Sequence, residues 1–341
     1  MPSTKVNIFF RADGNSQIGL GHVVRCVAIA EMIYHHYPCH FLIKEPGEQV
    51  EKMISPFAKV IELPATMSLD EETTVLDQYV TPSDILVTDR YALDSHYQAE
   101  AKKKVKKLVA VDDDARLHFY ADIVINHSSP DMASRYSKEA FTQIMAGPQY
   151  LIAREAFRKA AINKRIIKEI RSLFICMGGA DPFNITCKVL DAAKNSSFKH
   201  IVVVTGSAYQ HAEALLTRCE SDRVEWKTNL CADEMINEIK NCEVAVSTAS
   251  SVSLEICCVK AGLLTGMVAE NQQNIHQCLV DKGCAITMGD FRNVTEEEIT
   301  RKLNDLCNHE VVNNQMKQQH LLIDGESGTR ILNIFNHLAN G

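Results

Sequence analysis

Val6-Asn7-Ile8-Phe9-Phe10, then Arg11-Ala12-Asp13-Gly14-Asn15-Ser16-Gln17-Ile18-Gly19-Leu20-Gly21-His22, then Val23-Val24-Arg25-Cys26-Val27-Ala28-Ile29-Ala30 is the stretch that decides the fold. A short apolar run fit for a buried strand enters a polar loop with glycines, and the loop enters apolar positions at helical spacing. Val23, Val24, Val27, Ala30 and Ile33 are available to face a sheet. Strand, loop and helix in this order open a βα unit. Gly19 and Gly21 lack a Cβ, so the backbone can approach a ligand, and the helix start offers N–H groups and positive potential to a phosphate. The dinucleotide fingerprint is not met, because Val24 stands where its third glycine would be. His22 falls in the first helical turn, where the dipole disfavours imidazolium. A neutral imidazole able to accept a proton at pH 7 is expected there, and His22 is read as a base rather than as a capping or core histidine.

The same alternation repeats outward from this unit. Apolar runs at 6–10, 40–43, 60–63, 85–88, 108–111 and 123–125 alternate with helical stretches at 22–36, 48–57, 69–79 and 95–104. Near Ile162-Asn163-Lys164-Arg165 the pattern breaks into a charged, helix-prone connector. A second series of strands follows at 173–176, 201–205, 224–226, 244–247, 263–267 and 285–287, with helices at 185–195, 209–219, 231–240, 251–260, 274–282 and 296–307. Each half therefore reads as a doubly wound, Rossmann-like parallel sheet, and the fold class is α/β with two such domains facing a cleft at the carboxyl ends of the strands. Residues 1–160 are assigned to the first domain, with the catalytic loop, and 161–341 to a nucleotide-binding domain. A closing helix at 327–339 is free to pack back on the first domain.

The bulk properties narrow the function classes. A chain of 341 residues exceeds what one core usually supports, and its 46% apolar and 23% charged content is that of an ordinary globular protein. No stretch approaches the ~18 consecutive apolar residues of a membrane helix, so no membrane insertion is expected. The N-terminus shows no signal-peptide pattern, and a cytoplasmic location is expected. Twelve cysteines without CxxC or Cys/His spacing read as free thiols used as small apolar residues. A net charge of −7 argues against nucleic acid as a partner, and the basic run 102–107 reads as a solvated helix end. Asp112-Asp113 read as loop-capping acids, with no third ligand to suggest a metal. No cofactor and no metal are expected, and the charged surface helices favour a monomer.

Seven motifs in register over residues 6 to 290 resemble one family. Arg11-Ala12-Asp13 with Ile18-Gly19-Leu20-Gly21-His22 is similar to the start of the UDP-2,4-diacetamido-2,4,6-trideoxy-β-L-altropyranose hydrolases of pseudaminic acid biosynthesis, which are related to MurG-like GT-B enzymes. Asp89-Arg90-Tyr91-Ala92-Leu93, Asp112-Asp113 with Ala121-Asp122-Ile123, and the segment from Gly147-Pro148-Gln149-Tyr150 to Phe157 follow in the family's order. Met177-Gly178-Gly179-Ala180-Asp181-Pro182-Phe183-Asn184, the segment 247–255 and Ala269-Glu270-Asn271-Gln272 complete the set. The chain departs from it at Ala121, where Cys is usual, and at Ser250-Ser251-Val252-Ser253-Leu254-Glu255, where many relatives carry Gly-Ser-Thr-x-Trp-Glu.

The resemblance implies hydrolysis of a UDP-linked diacetamido sugar at its anomeric carbon, with His22 activating water and with Tyr91 and Asn271 as further catalytic groups. It implies substrate or UDP contacts at Ile18, Gly19, Gly21, Gly178, Gly179, Asp181, Asn184, Ser250, Ser251, Glu255 and Gln272. Residue chemistry fits several of these roles: glycines at a strand end can lie against a ligand, hydroxyls at a helix start can meet a phosphate, and Glu255 can accept two ribose hydroxyls. Arg11 and Asp13 are expected to fix the loop. Two other outcomes share the fold: a UDP-sugar glycosyltransferase, and a catalytically silent nucleotide-sugar-binding protein. The histidine argues against the second of these.

Overall fold

The computed structural model describes residues 6–14 and 20–341. Ile18 and Gly19 lie outside the described residues. The chain forms two compact units, Met1–Glu155 with Glu326–Gly341, and Ala156–Gly325.

The strands of the first unit are β1 (Ile8–Arg11), β2 (Cys39–Lys44), β3 (Lys59–Leu63), β4 (Ile85–Thr88), β5 (Lys107–Val111), β6 (His118–Phe119), β7 (Ile123–Asn126), β8 (Ser137–Lys138) and β9 (Gln143–Ala146). Seven form a parallel sheet in the order β3-β2-β1-β4-β5-β7-β9, while β6 and β8 pair separately. Alternate residues enter separate cores: Ile8, Phe10, Ile85 and Val87 on one face, Phe9, Leu42, Leu86 and Leu108 on the other. That is the near-continuous apolar strand of a sheet covered on both faces.

The helices of this unit are α1 (Gly21–Ile33), α2 (Gly47–Ile54), α3 (Leu69–Val75) and α4 (Ser95–Lys102), and α5 (Glu155–Ala161) begins at the boundary. The second unit holds β10 (Ser172–Cys176), β11 (His200–Thr205), β12 (Val224–Thr228), β13 (Val244–Thr248), β14 (Gly262–Met267) and β15 (Ile286–Asp290). They form a parallel sheet in the order β12-β11-β10-β13-β14-β15. Its helices are α6 (Ile185–Lys194), α7 (Ala212–Leu216), α8 (Ala232–Asn241), α9 (Ser251–Val259), α10 (Gln273–Asp281), α11 (Glu296–Asp305) and α12 (His309–Leu322). The last helix, α13 (Ser327–Asn340), belongs to the first unit.

Where the structure differs from the sequence reading, the cause is a buried polar side chain or a distant partner. Arg11 is fully buried inside β1, aligned with Leu42 and Thr88, although a charged residue does not extend an apolar run. It is held by paired carboxylates, with Nη1 and Nη2 on Asp13 (2.6 and 2.9 Å) and Nε and Nη2 on Glu72 (2.6 and 3.0 Å). Arg11 and Asp13 thus tie the loop to α3. Helix α1 buries almost its whole circumference rather than one stripe, because Ile331 and Phe335 of α13 join the same core. The 162–165 connector is not helical; α5 ends at Ala161 and the next regular element is β10.

Helix α12 is absent from the sequence reading because half of its buried face is glutamine. Val312, Gln315, Met316 and Gln319 recur at helical spacing and are all buried. Gln315 meets the Leu263 backbone with both ends of its amide, accepting from N (2.8 Å) and donating to O (3.2 Å). Gln319 donates to Ala261 O and Cys284 O at 2.8 and 2.9 Å. Gln315→Leu keeps the volume but orphans a buried N–H and C=O. It is expected to cost about 2–4 kcal/mol, read as a lower midpoint in urea at unchanged slope.

Candidate active site

In the first sheet the strand order reverses between β1 and β4, and loops at the carboxyl ends of such neighbours splay apart to leave a crevice. His22 sits there at the start of α1, and Asp89 and Tyr91 follow β4. Asp89 is 1% exposed and brings Oδ1 to 2.6 Å from His22 Nδ1. Arg25, one turn along α1, donates Nη2 to the same Oδ1 (2.7 Å) and Nε to Oδ2 (2.8 Å). Its Nη1 reaches both oxygens of Asp113, after β5, at 2.6 Å. The Tyr91 hydroxyl donates to Asp113 Oδ2 (3.1 Å), and its ring meets His22 edge-on with centroids 4.8 Å apart.

This arrangement fixes the imidazole tautomer. Arg25 Nη2 also lies 3.0 Å from His22 Nδ1, but Nδ1 cannot donate to Asp89 and accept from Arg25 at once. The shorter contact, to a carboxylate, assigns the proton to Nδ1, and the guanidinium keeps Asp89 as its acceptor. Nε2, which has no partner among the described residues, keeps its lone pair, the form a general base requires.

The surrounding charges respond to one another. Burial would lower the Arg25 pKa, but attraction to Asp89 and Asp113 raises it well above the ordinary arginine value. Burial would raise Asp113, but Arg25 holds it down at about 2. His127, after β7, is buried and lowered to about 4, first by burial and then by repulsion from Arg25. It stays neutral and accepts from Ile152 N at 3.2 Å. Asp112 is a loop cap: its Oδ2 accepts from Asp114 N (3.0 Å), Ala115 N (2.7 Å) and Tyr136 OH (2.8 Å), and burial raises its pKa. Asp113, grouped with it in the sequence reading, is instead the second anchor of Arg25. No group of three or more candidate metal ligands occurs among the described residues.

A folded pKa below the unfolded value gives stability that is complete above the unfolded pKa and lost as pH falls. For His127 the window runs from 6.5 down to about 4. Stability is therefore expected to drop by about 3 kcal/mol across it, and His127→Gln to flatten that part of a melting-temperature curve against pH.

The second unit repeats the pattern between β10 and β13. Gly178 and Gly179 follow β10, Ser250 and Ser251 open α9 after β13, and Asn271 and Gln272 lie in the 3-10 turn Glu270–Gln272 after β14. Gly178 has φ +97°, which favours glycine. Ser250 is the N-cap of α9 but makes no side-chain cap bond; its Oγ lies 3.2 Å from Thr248 Oγ1. Glu255 stands one turn into that helix, half-buried, and Asn271 is exposed. Three more of the expected contact residues make local bonds. Both oxygens of Asp181 accept helix amides, Ile185 N (2.9 Å) and Thr186 N (2.7 Å), so Asp181 caps α6 and occupies the end a phosphate would use. Asn184 Oδ1 accepts from Tyr209 OH (2.8 Å), and Gln272 Oε1 from Val268 N (2.8 Å).

The structure places His22 and Tyr91, both expected from the sequence, together, and joins Asp89, Arg25 and Asp113, which were not, to them in one cluster. Their signal was present: Arg25 is three residues from His22 on one helix face, and both acids follow strand ends.

Two doubly wound parallel sheets, each with polar residues at its strand-order reversal, define an α/β protein of the GT-B type. The solved structure of Acinetobacter baumannii MurG has this fold, with a TM-score of 0.69, 9% identity and coverage of 97% of this chain and 99% of that one. In sequence the chain is similar to the spore coat polysaccharide biosynthesis protein SpsG of Bacillus subtilis, 28% identical over 98% of each. It is also similar to the UDP-2,4-diacetamido-2,4,6-trideoxy-β-L-altropyranose hydrolase of Campylobacter jejuni, 26% identical over 82% of this chain and 97% of that protein, so the resemblance read from the motifs holds. No protein-family model matches the chain. Among the described residues no helix is long and apolar enough to cross a membrane.

Proposed function

We propose that this protein hydrolyses a UDP-linked 2,4-diacetamido-2,4,6-trideoxy sugar, releasing UDP and the free sugar. The observation that carries the reading is the 2.6 Å contact between His22 Nδ1 and Asp89, which leaves Nε2 as the base. Nε2 takes a proton from water, and the water oxygen attacks C1. The C1–O bond to the β-phosphate breaks with its electron pair leaving on UDP, and the configuration inverts. UDP is a good leaving group, so no second acid has to protonate it. Tyr91, beside His22 and tied to Asp113, orients the sugar or the water. The second-unit loops are assigned to the nucleotide: Gly178, Gly179, Ser250 and Ser251 to the diphosphate, Glu255 to the ribose, and Asn271 to the charge developing on phosphate. The similarity to a hydrolase named for this substrate supports the reading.

The test is UDP release from the diacetamido UDP-sugar with no acceptor present. Release in water alone, with an inverted product by proton NMR, is the expected result. Release that requires an added hydroxyl acceptor would replace hydrolysis by glycosyl transfer.

A further inference from the structure

Beside His22 the first unit holds a cavity of about 180 Å³. Sites for whole ligands run to about 300–1,000 Å³, so this one is sized for a substituent rather than for a complete substrate. Exposed Tyr91 and Arg116 stand at its mouth with His22, and buried Leu93, Ala110 and Phe119 form its floor. Asp89, Asp112 and Asp114 in the lining are balanced by Arg25, Arg90 and Arg116. A wall without net sign suits a neutral dipolar group better than a phosphate or an ammonium.

Two polar groups in the wall have unused capacity. Gln98 is 2% exposed; its Oε1 accepts from Tyr120 N at 3.2 Å, and its Nε2 has no acceptor among the described residues. Asp112 receives all three of its bonds on Oδ2, and its Oδ1 has no donor among them. Neither atom is sealed from solvent, so at the cavity each is open to a ligand group in place of water. A donor, an acceptor and an apolar floor together match the C=O, the N–H and the methyl of an acetamido group.

We infer that this cavity is the subsite for the 2-acetamido group of the sugar. Gln98 Nε2 donates to its carbonyl, Asp112 Oδ1 accepts its N–H, and its methyl lies on Leu93 and Phe119. C2 is bonded to C1, the carbon that water attacks from the His22 side, which places this substituent rather than the 4-acetamido group in a cavity His22 itself lines. The inference rests on the proposed hydrolysis.

The experiment compares UDP release from the diacetamido UDP-sugar and from its 2-hydroxy analogue. Gln98→Glu keeps the oxygen that accepts from Tyr120 and turns the donor into an acceptor. It is expected to raise KM for the diacetamido substrate about tenfold or more, the loss of one buried hydrogen bond, and to raise KM for the analogue by clearly less. Leu117→Trp, which fills the cavity, is expected to give the same split. Equal changes on both substrates, or none on either, overturn the inference. If the wild-type protein releases no UDP from either substrate, the proposed reaction fails, and the subsite is judged on binding alone. Saturation transfer to the acetyl methyls of the free diacetamido sugar should be seen with wild type and lost for the C2 acetyl in both variants. Absence of that signal in wild type, or its persistence in the variants, overturns the subsite.

Discussion

His22→Ala is expected to lower UDP release by about 10²–10⁴-fold while leaving the fold intact, because a positioned general base contributes a factor of that order. The variant should remain folded because Asp89 keeps its two bonds from Arg25 when the imidazole is gone. Asp89→Asn is expected to approach the same loss. An amide at that position can present its NH2 to Nδ1, which moves the imidazole proton to Nε2 and removes the base. Initial rates at saturating substrate, with circular dichroism as the control on folding, provide the measurement. Undiminished release from His22→Ala would sink the proposed mechanism.

Arg25→Met is expected to destabilise the protein by about 3–5 kcal/mol, because it strips the shared cation from two acids that are buried or nearly so. The comparison that distinguishes charge from packing is the double variant Arg25→Met with Asp113→Asn, in which one acid is neutralised and part of the loss should return. Arg25→Lys restores the charge but not the fork, since an ammonium cannot serve Asp89 through Nε and Nη2 while holding Asp113 through Nη1. It should therefore recover stability more fully than activity. Equilibrium urea unfolding of the four proteins measures the first effect, and kcat the second. A double variant no more stable than Arg25→Met alone would show that the lost charge pairing is not the cause.

The first βα unit shows how far a sequence reading reaches. Strand periodicity and the place of His22 at a helix start were legible because each depends on local backbone geometry. The second sheet was legible for the same reason, since its apolar runs alternate with helical stretches of regular length. Elements failed to appear where a distant group stabilises what local pattern disfavours. Helix α12 buries two glutamines whose partners, Leu263, Ala261 and Cys284, are 35 to 58 residues away. Arg11 lies inside a strand because Glu72, 61 residues on, neutralises it.

The sequence by itself determined the α/β class, the two parallel sheets and the placing of His22 at a helix start, because strand and helix periods and loop glycines are properties of neighbouring residues. Only the tertiary structure decided what surrounds that histidine. Asp89 and Asp113 lie 67 and 91 positions from it in sequence, yet β4 and β5 bring their ends beside α1, and Arg25 locks both acids to the imidazole's neighbourhood. The physical reason is that a parallel sheet sets its strand order through crossovers and packing on two faces, whose energies are shared across the whole core and leave no mark on any single stretch of chain.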